Sequence, residues 1–363
     1  MRLFQNSGIA KSYLSQLNRL AKEHRSFNAR LDVFLADRFG ASHFLKPILD
    51  RESAAFFTNG DDELLQRAWA SENGMPAGAT LADILLAQIE AHNAEVFYNL
   101  DPIRYGNEFV KRLPACVRTH ICWRAAPSKG QDFSAYHLRV CNFPSILKRW
   151  EDAGQKSAYF SPAYDPAMDE YAGSTERPID VAFVGAYSRH HQRRAKFLEA
   201  VARLSPKLNV IFCLDRSLLA KLASTPLGFI SPFRKLRFPK SIADIWHPPA
   251  FGRDLYSLFS RSKIVINAAI DMAGEDRGNM RCFEATGCGA VLLSDQGNYP
   301  QGFEAGVTFL SYDNADSALH QIARAIDNYP DVTTVSRRGW ETVRAVYSKE
   351  RQWQMFRQIV ANA

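Results

Sequence analysis

Short runs of β-branched and aromatic residues alternate with amphipathic helical runs along almost the whole chain, and this alternation is the strongest constraint on its fold. Strands separated by helices cannot close as hairpins, so they pair in parallel, in α/β sheets covered by helices. In the first half, LDVFLAD (31–37), AEVFYNLD (94–101) and RTHICW (118–123) are predicted strands. Between them ATLADILLAQIEAH (79–92) is a predicted helix with Leu81, Ile84, Leu85 and Ile89 on one face. The stretch SPAYDPAMDEYAGSTERP (161–178) holds three prolines, one glycine and no period, which predicts a linker.

Beyond the linker the pattern restarts. IDVAFVG (179–185) is a buried strand ending in glycine, RRAKFLEAVARL (193–204) a helix with Phe197, Leu198 and Val201 inward, and LNVIFCLD (208–215) the next strand. A proline-rich interval (224–252) leads to the helix RDLYSLFSRS (253–262) and the strand KIVINAAI (263–270). A helix over Met280–Cys288, the strand AVLLSD (290–295), a helix over 317–329 and a largely helical ending complete the series. With 363 residues the chain is long enough for two cores. The predicted division is 1–168, 169–345 and a terminal helix, 346–363, returning to the first domain.

Hydrophobic residues at 46% and charged residues at 23% exclude a disordered chain. No run approaches the roughly eighteen uncharged apolar residues of a membrane span, and the opening MRLFQNSGIAKSYLSQLNRL lacks the apolar core of a cleaved leader. Six scattered cysteines without a CxxC pair read as reduced core residues of a cytoplasmic protein, not as a disulfide framework or zinc site. The net charge of +7 is uneven: residues 1–170 balance at 20 basic and 20 acidic, whereas residues 171–250 hold 13 basic and 5 acidic. Such a field suits an anionic partner, although a solvated basic face accounts for it equally.

The stretch AGEDRGNMRCFEATGCGAVLLSD (273–295) is the most informative. It is an acidic loop, a glycine, a short helix carrying one acid, and then Gly-Cys-Gly feeding a strand. A helix start offers unpaired amides and partial positive charge, so a diphosphate near Gly278 and Asn279 is favoured. Glu284 is placed to accept from a ribose diol, and Glu275 or Asp276 to face sugar hydroxyls. Glu284 also fits the plain role of an acid stabilised by a helix start.

A second group follows Gly185: Arg189, His190, His191, Arg193 and Arg194 can lay guanidinium groups over a departing diphosphate, or simply form a basic surface helix. Lys263 and Arg281 are further phosphate candidates, or partners of Asp254 and Asp276. The run RKLRFPK (234–240) beside Phe233 fits either an interfacial membrane contact or a solvated loop. In the first half Asp101 ends a strand, where ligands of open α/β sheets bind; it is a candidate base, with His120 behind it, while an Asp-Pro turn explains it too.

Glu284 to Leu292 resembles the nucleotide-sugar site of the group 1 glycosyltransferases, and Arg281-Cys282-Phe283-Glu284-Ala285 resembles the Arg-x-Phe-Glu-Ala signature of their CgeB-like branch. Asp180–Gly185, Tyr256–Asn267 and Gly339–Arg351 are similar to the same branch, so the likeness spans roughly 161–355. The first acid of the two-acid motif is Asp276, beside Glu275, where the wider group has glutamate. The resemblance implies the GT-B architecture, two Rossmann-like domains facing a cleft with the last helix crossing back. It also implies a hexosyltransferase-type glycosyltransferase with no cofactor beyond its donor, a nucleoside-diphosphate sugar such as a UDP-sugar; the basic loop and the lack of a DxD-type acidic pair in a suitable loop point to metal independence. A basic residue of the loop after Gly185 then stands at the diphosphate. The expected acceptor is a glycan, a lipid-linked glycan or a protein in polysaccharide or glycoconjugate synthesis, at the cytoplasmic face of the membrane and without nucleic acid as a partner. A non-catalytic nucleotide-sugar-binding protein of the same fold is the alternative.

Overall fold

The computed structural model describes residues 1–126, 128, 130–188, 191–215, 237–269 and 274–363. The chain divides into two compact units, one of Met1–Ala163 with Tyr347–Ala363 and one of Tyr164–Val346. The terminal helix Lys349–Ala361 therefore belongs to the first unit, together with everything before the crossing at residue 163.

The first unit holds a six-stranded sheet made of β1 (Leu3–Ser7), β2 (Ala55–Asn59), β3 (Val96–Asn99), β4 (Thr119–Trp123), β5 (Leu138–Cys141) and β6 (Ser157–Tyr159). Its order is β2-β1-β3-β4-β5-β6 and every pairing is parallel. The predicted helix over 79–92 is present as Leu81–Ala91, where Thr80 and Asp83 cap each other in a capping box and Ile84, Leu85 and Ile89 are buried. Segment 31–37, expected as a strand, is helical as part of Phe27–Asp37. Ser26 caps it by accepting from the Ala29 amide, and Phe27, Leu31, Phe34 and Leu35 recur with helical spacing on the buried face. The helix buries four large apolar groups on one side, whereas the alternation of a strand would split them between two faces.

The second unit repeats the plan with β7 (Ile179–Ala186), β8 (Val210–Asp215), β9 (Trp246–His247), β10 (Ser262–Asn267), β11 (Val291–Asp295) and β12 (Leu310–Tyr312). Its order is β12-β11-β10-β7-β8-β9, again all parallel. Phe197, Leu198 and Val201 of the helix Gln192–Ala202 pack with Phe183, Phe212, Ile264 and Leu293 in its core. In each sheet the chain lays its first strand, continues to one side and then returns to the other. That reversal falls between β1 and β3 in one unit and between β7 and β10 in the other. No helix among the described residues is long and apolar enough to cross a membrane.

Near the start of the first unit, His43 is held against Trp123 with its Nδ1 buried and unbonded, and burial followed by the nearby Lys349 ammonium lowers its pKa to about 3. A histidine depressed in the folded state binds fewer protons than in the unfolded chain, so its contribution is complete above pH 6.5 and is lost as the pH falls toward 3. Denaturant titrations should show stability falling on acidification from pH 7 to pH 4, by on the order of 1 kcal/mol per pH unit from this residue. The His43→Gln variant should flatten that slope.

Candidate functional site

Ligands of open parallel sheets bind beyond the carboxyl ends of the strands at the point where strand order reverses. In the second unit that point lies at Val184–Ala186 of β7 and Asn267 of β10, and of the sequence-predicted groups Gly185, Arg194, Asn279 and Arg281 lie there. The Arg194 guanidinium lies 5.2 Å from the centre of the Phe183 ring. A Cβ on Gly185 would stand 2.8 Å from Arg194 Nη2, so only glycine at the strand end admits the arginine so close. From the other side Arg281 donates its Nε to the Val184 carbonyl at 3.4 Å and pairs with the Glu284 carboxylate one helical turn on. Two cationic side chains thus meet the end of one strand.

Arg281 and Glu284 stand on the helix Met280–Gly287, entered through Gly278 at φ 103° and Asn279. The Asn279 side chain does not cap its own helix; it donates instead to Asn267 Oδ1 at 3.1 Å, tying the helix start to the end of β10. Asn267 donates in turn to Ser294 Oγ at 2.9 Å, and Tyr312 donates to the Asn267 carbonyl at 2.9 Å. The Cys282 amide donates to the Asn279 carbonyl at 3.0 Å, and with its side chain so engaged Asn279 leaves the Met280 and Arg281 amides to another acceptor, an arrangement suited to an anion.

Glu284 is buried, and only its Oε2 is held, by Arg281; Oε1 has no hydrogen-bond partner among the described residues. Burial raises its carboxyl pKa, the Arg281 guanidinium opposes that, and the Asp165 carboxylate adds to it. A buried carboxylate with an uncommitted oxygen is suited to accept from ligand hydroxyls.

The loop before the helix is pinned by a residue that sequence reasoning missed. Arg277 is buried, pairs with Asp295 at the end of β11 at 2.7 Å, and donates to the Gly274 carbonyl at 2.7 Å. Backbone bonds of 2.7 and 2.8 Å join Asn298 to Glu275 and Arg277, with Asp276 bridged between them. Asp276 is buried and Glu275 exposed. The available signal was Arg277 beside the acidic pair together with Asp295 closing a predicted strand, but only the fold brings strand end and loop together.

Two expected phosphate ligands stand elsewhere. Lys263 is the second residue of β10, at the amino edge of the sheet opposite the reversal point, where its ammonium pairs with Asp180 at 2.7 Å and lies 5.7 Å from the Tyr329 ring. Parallel register fixes this, because a residue at the start of a strand cannot reach its carboxyl end. Arg193 is exposed and donates to the Asp313 carbonyl at 2.7 Å. Arg189, His190 and residues 234–236 of the basic run lie outside the described residues. Phe238 of that run packs edge-on against Tyr187 at 5.4 Å.

In the first unit Asp101 lies just past β3, at that sheet's own reversal point. Its amide donates to Asn99 Oδ1 at 3.0 Å, and Arg104 reaches its carboxylate at 3.3 Å and that of Asp61 at 3.7 Å. Asp61, which follows β2, was not anticipated; it accepts from the Ile9 amide at 2.9 Å, and its pKa is raised by burial. Beneath them Asn6 and Asn99 are hydrogen-bonded at 2.8 Å, and Asn99 donates to Tyr136 at 2.6 Å. His120 lies near the start of β4, stacked on His137 at 3.6 Å, away from this edge. Among the described residues no group of three or more His, Cys, Asp or Glu side chains is placed to hold a metal ion.

Residues 189–358 match the model of a family described as glycosyl transferase-like. No curated protein matches the chain. Among solved structures, HepE from Anabaena in complex with UDP and glucose is similar at a TM-score of 0.58 and 13% identity, with all of both chains covered. A glycosyltransferase from Rickettsia africae is similar at a TM-score of 0.58 and 10% identity, covering 99% of this chain and 97% of that one. Sucrose-phosphate synthase from Thermosynechococcus elongatus is similar at 0.53 and 13%, over the whole of both chains. The two parallel six-stranded sheets and their helices are the α/β fold of the GT-B glycosyltransferases.

Removing one member of a buried ion pair strands the other, so Arg277→Ala should cost roughly 3–5 kcal/mol of second-unit stability. Urea unfolding followed by tryptophan fluorescence measures this, and Arg277→Lys should restore part of the loss.

Proposed function

We propose that this protein is a glycosyltransferase that moves a sugar from a nucleoside-diphosphate donor to an acceptor hydroxyl. The observation that carries the reading is the convergence, at the reversal point of the second sheet, of Arg194, Arg281 and the buried Glu284 around the glycine-led helix start at Gly278 and Asn279. Each element matches one part of such a donor. Glu284 Oε1 accepts from a ribose diol; the helix-start amides and Arg194 take the diphosphate; Glu275 and Asp276 border the sugar. The family model and the UDP-bound Anabaena neighbour support the reading of a glycosyltransferase with a nucleotide-sugar donor.

In the reaction the bond from the anomeric carbon to the diphosphate oxygen breaks and a bond to the acceptor oxygen forms. Negative charge grows on the leaving diphosphate, and Arg194 meets it with a guanidinium already held by Phe183 and Gly185. The acceptor proton passes to a carboxylate, for which Asp101 is the candidate in the first unit. Fixed cations at the diphosphate take the part a divalent ion plays elsewhere, which supports transfer without a metal. The basic excess over 171–250 supports work beside an acidic membrane surface, on a glycan or lipid-linked acceptor.

Glu284→Gln should chiefly raise the donor KM, by about tenfold, because a ribose contact binds substrate and transition state alike. Arg194→Ala should lower kcat by roughly 100-fold, since its partner charge develops only as the bond breaks. Arg193→Ala, turned to the Asp313 carbonyl, should keep kcat near wild type. Steady-state assays, with the donor first chosen by thermal shift against UDP, GDP and CDP sugars, read all three. Turnover should survive EDTA; complete loss restored by manganese would overturn the metal-independent reading.

A further inference from the structure

Asparagine is among the strongest N-cap residues, because its side-chain oxygen accepts from the second or third amide of the helix it precedes. Asn279 stands at that position before Met280–Gly287, and its backbone, at φ −65° and ψ 167°, already has the extended N-cap conformation. Its side chain nevertheless makes no cap. Its Nδ2 donates to Asn267 Oδ1 at 3.1 Å, and its Oδ1 accepts from the Cys282 thiol at 3.7 Å. Asn267, buried at the last position of β10, is itself held in place: Nδ2 donates to Ser294 Oγ at 2.9 Å and to Cys282 Sγ at 3.6 Å. Ser294 Oγ also accepts from the Tyr299 hydroxyl at 2.6 Å, which extends the same network. The Met280 and Arg281 amides have no partner among the described residues. One turn on, Glu284 is buried with its Oε1 equally open. The chain thus supplies a cap residue in the capping conformation and then draws its side chain aside, next to a buried carboxylate with a free oxygen.

We propose that Asn267 is a positioning residue of the diphosphate subsite: by holding the Asn279 side chain away from its own helix, it keeps the Met280 and Arg281 amides open to phosphate oxygens. The inference rests on the reading of this helix start as the place of the donor diphosphate. Two acceptors compete for the Arg281 amide, the Asn279 side-chain oxygen and a phosphate oxygen of the ligand. The bond to Asn267 removes the first. Without that bond, rotation of the Asn279 side chain satisfies the amide with no change of backbone, and a ligand must then displace a formed hydrogen bond. The two substitutions therefore act with opposite sign, which a packing role for Asn267 would not produce. Loss of Asn267 weakens diphosphate binding, and further loss of the Asn279 side chain restores it.

The test combines amide exchange, followed by NMR on the full chain, with calorimetry of UDP, GDP and CDP and of the matching monophosphates. In wild type the Arg281 amide should exchange fast. In Asn267→Ala it should become protected, and affinity for the nucleoside diphosphate should fall about tenfold, with a smaller fall for the monophosphate. In the double variant, Asn267→Ala with Asn279→Ala, the amide should be released again and most of the lost affinity should return. A double variant that binds as weakly as Asn267→Ala, or an Arg281 amide that exchanges alike in wild type and Asn267→Ala, overturns the inference, and nucleotide binding to wild type leaves the nucleotide reading standing. Wild type that binds none of the three diphosphates removes the nucleotide reading, and with it the role given to Asn267, whatever the exchange shows. Should Asn267→Ala fail to fold, position 279 decides alone. Serine caps a helix but is too short to reach Asn267, so Asn279→Ser should bind the diphosphate more weakly than Asn279→Ala, and the reverse order overturns the proposal.

Discussion

A parallel strand cannot be joined to its neighbour by a tight turn, and much else in this molecule depends on that constraint. Each connection must travel back along the sheet before the next strand begins, so all carboxyl ends fall on one edge. Where the chain reverses direction across the sheet, the two loops at that edge part and leave room between them. In the second unit the parting falls between β7 and β10. Gly185 at one strand end admits Arg194, and Asn267 at the other anchors Asn279. In the first unit the same reversal lies between β1 and β3, and the hydrogen-bonded pair Asn6 and Asn99 occupies it under Asp61 and Asp101.

Two buried cations, Arg177 and Lys349, hold this framework through backbone carbonyls. Arg177 donates to the carbonyls of Phe259, Ser262 and Cys288, joining three separate stretches of the second unit at one guanidinium. Lys349, at the start of the terminal helix, donates to the carbonyls of Ala41, Ser42 and Phe44 within the first unit. A buried charge must be solvated by something, and convergent carbonyl dipoles serve where water is excluded. Each cation thus binds several buried carbonyls at once, some of which, such as those of Ala41, Ser42 and Phe259, also accept from a backbone amide. The Lys349 contact also explains why the last helix stays with the first unit although the chain reaches it from the second.

Most of the second unit was legible in the sequence because its signals agree with one another. IDVAFVG ends in the glycine that the strand end needs, and the helices over 193–204 and 317–329 carry unbroken apolar faces. Glu284 and Arg281 were legible because one short helix carries both, one turn apart. In the first unit the signals conflict: LDVFLAD satisfies both a strand and a helical period, and the burial of Phe27, Leu31, Phe34 and Leu35 on one face decides for the helix. β2, β5 and β6 are three to five residues long, too short to show a period of their own.

The α/β class, the presence of two cores and the residue types assembled at the second sheet's edge follow from local periodicity and from neighbours within a turn or two, so they are already written in the order of the residues. Tertiary structure decided which end of a strand each residue occupies and what it meets there. Lys263 and Arg281 look alike as basic residues near a strand, yet parallel register sends the first to Asp180 at the amino edge and the second to Val184 at the carboxyl edge. Arg277 with Asp295, and Asp165 with Tyr256, are partners 18 and 91 residues apart along the chain. No local pattern encodes such pairs; they exist because the crossovers of a parallel sheet fold distant segments onto one edge.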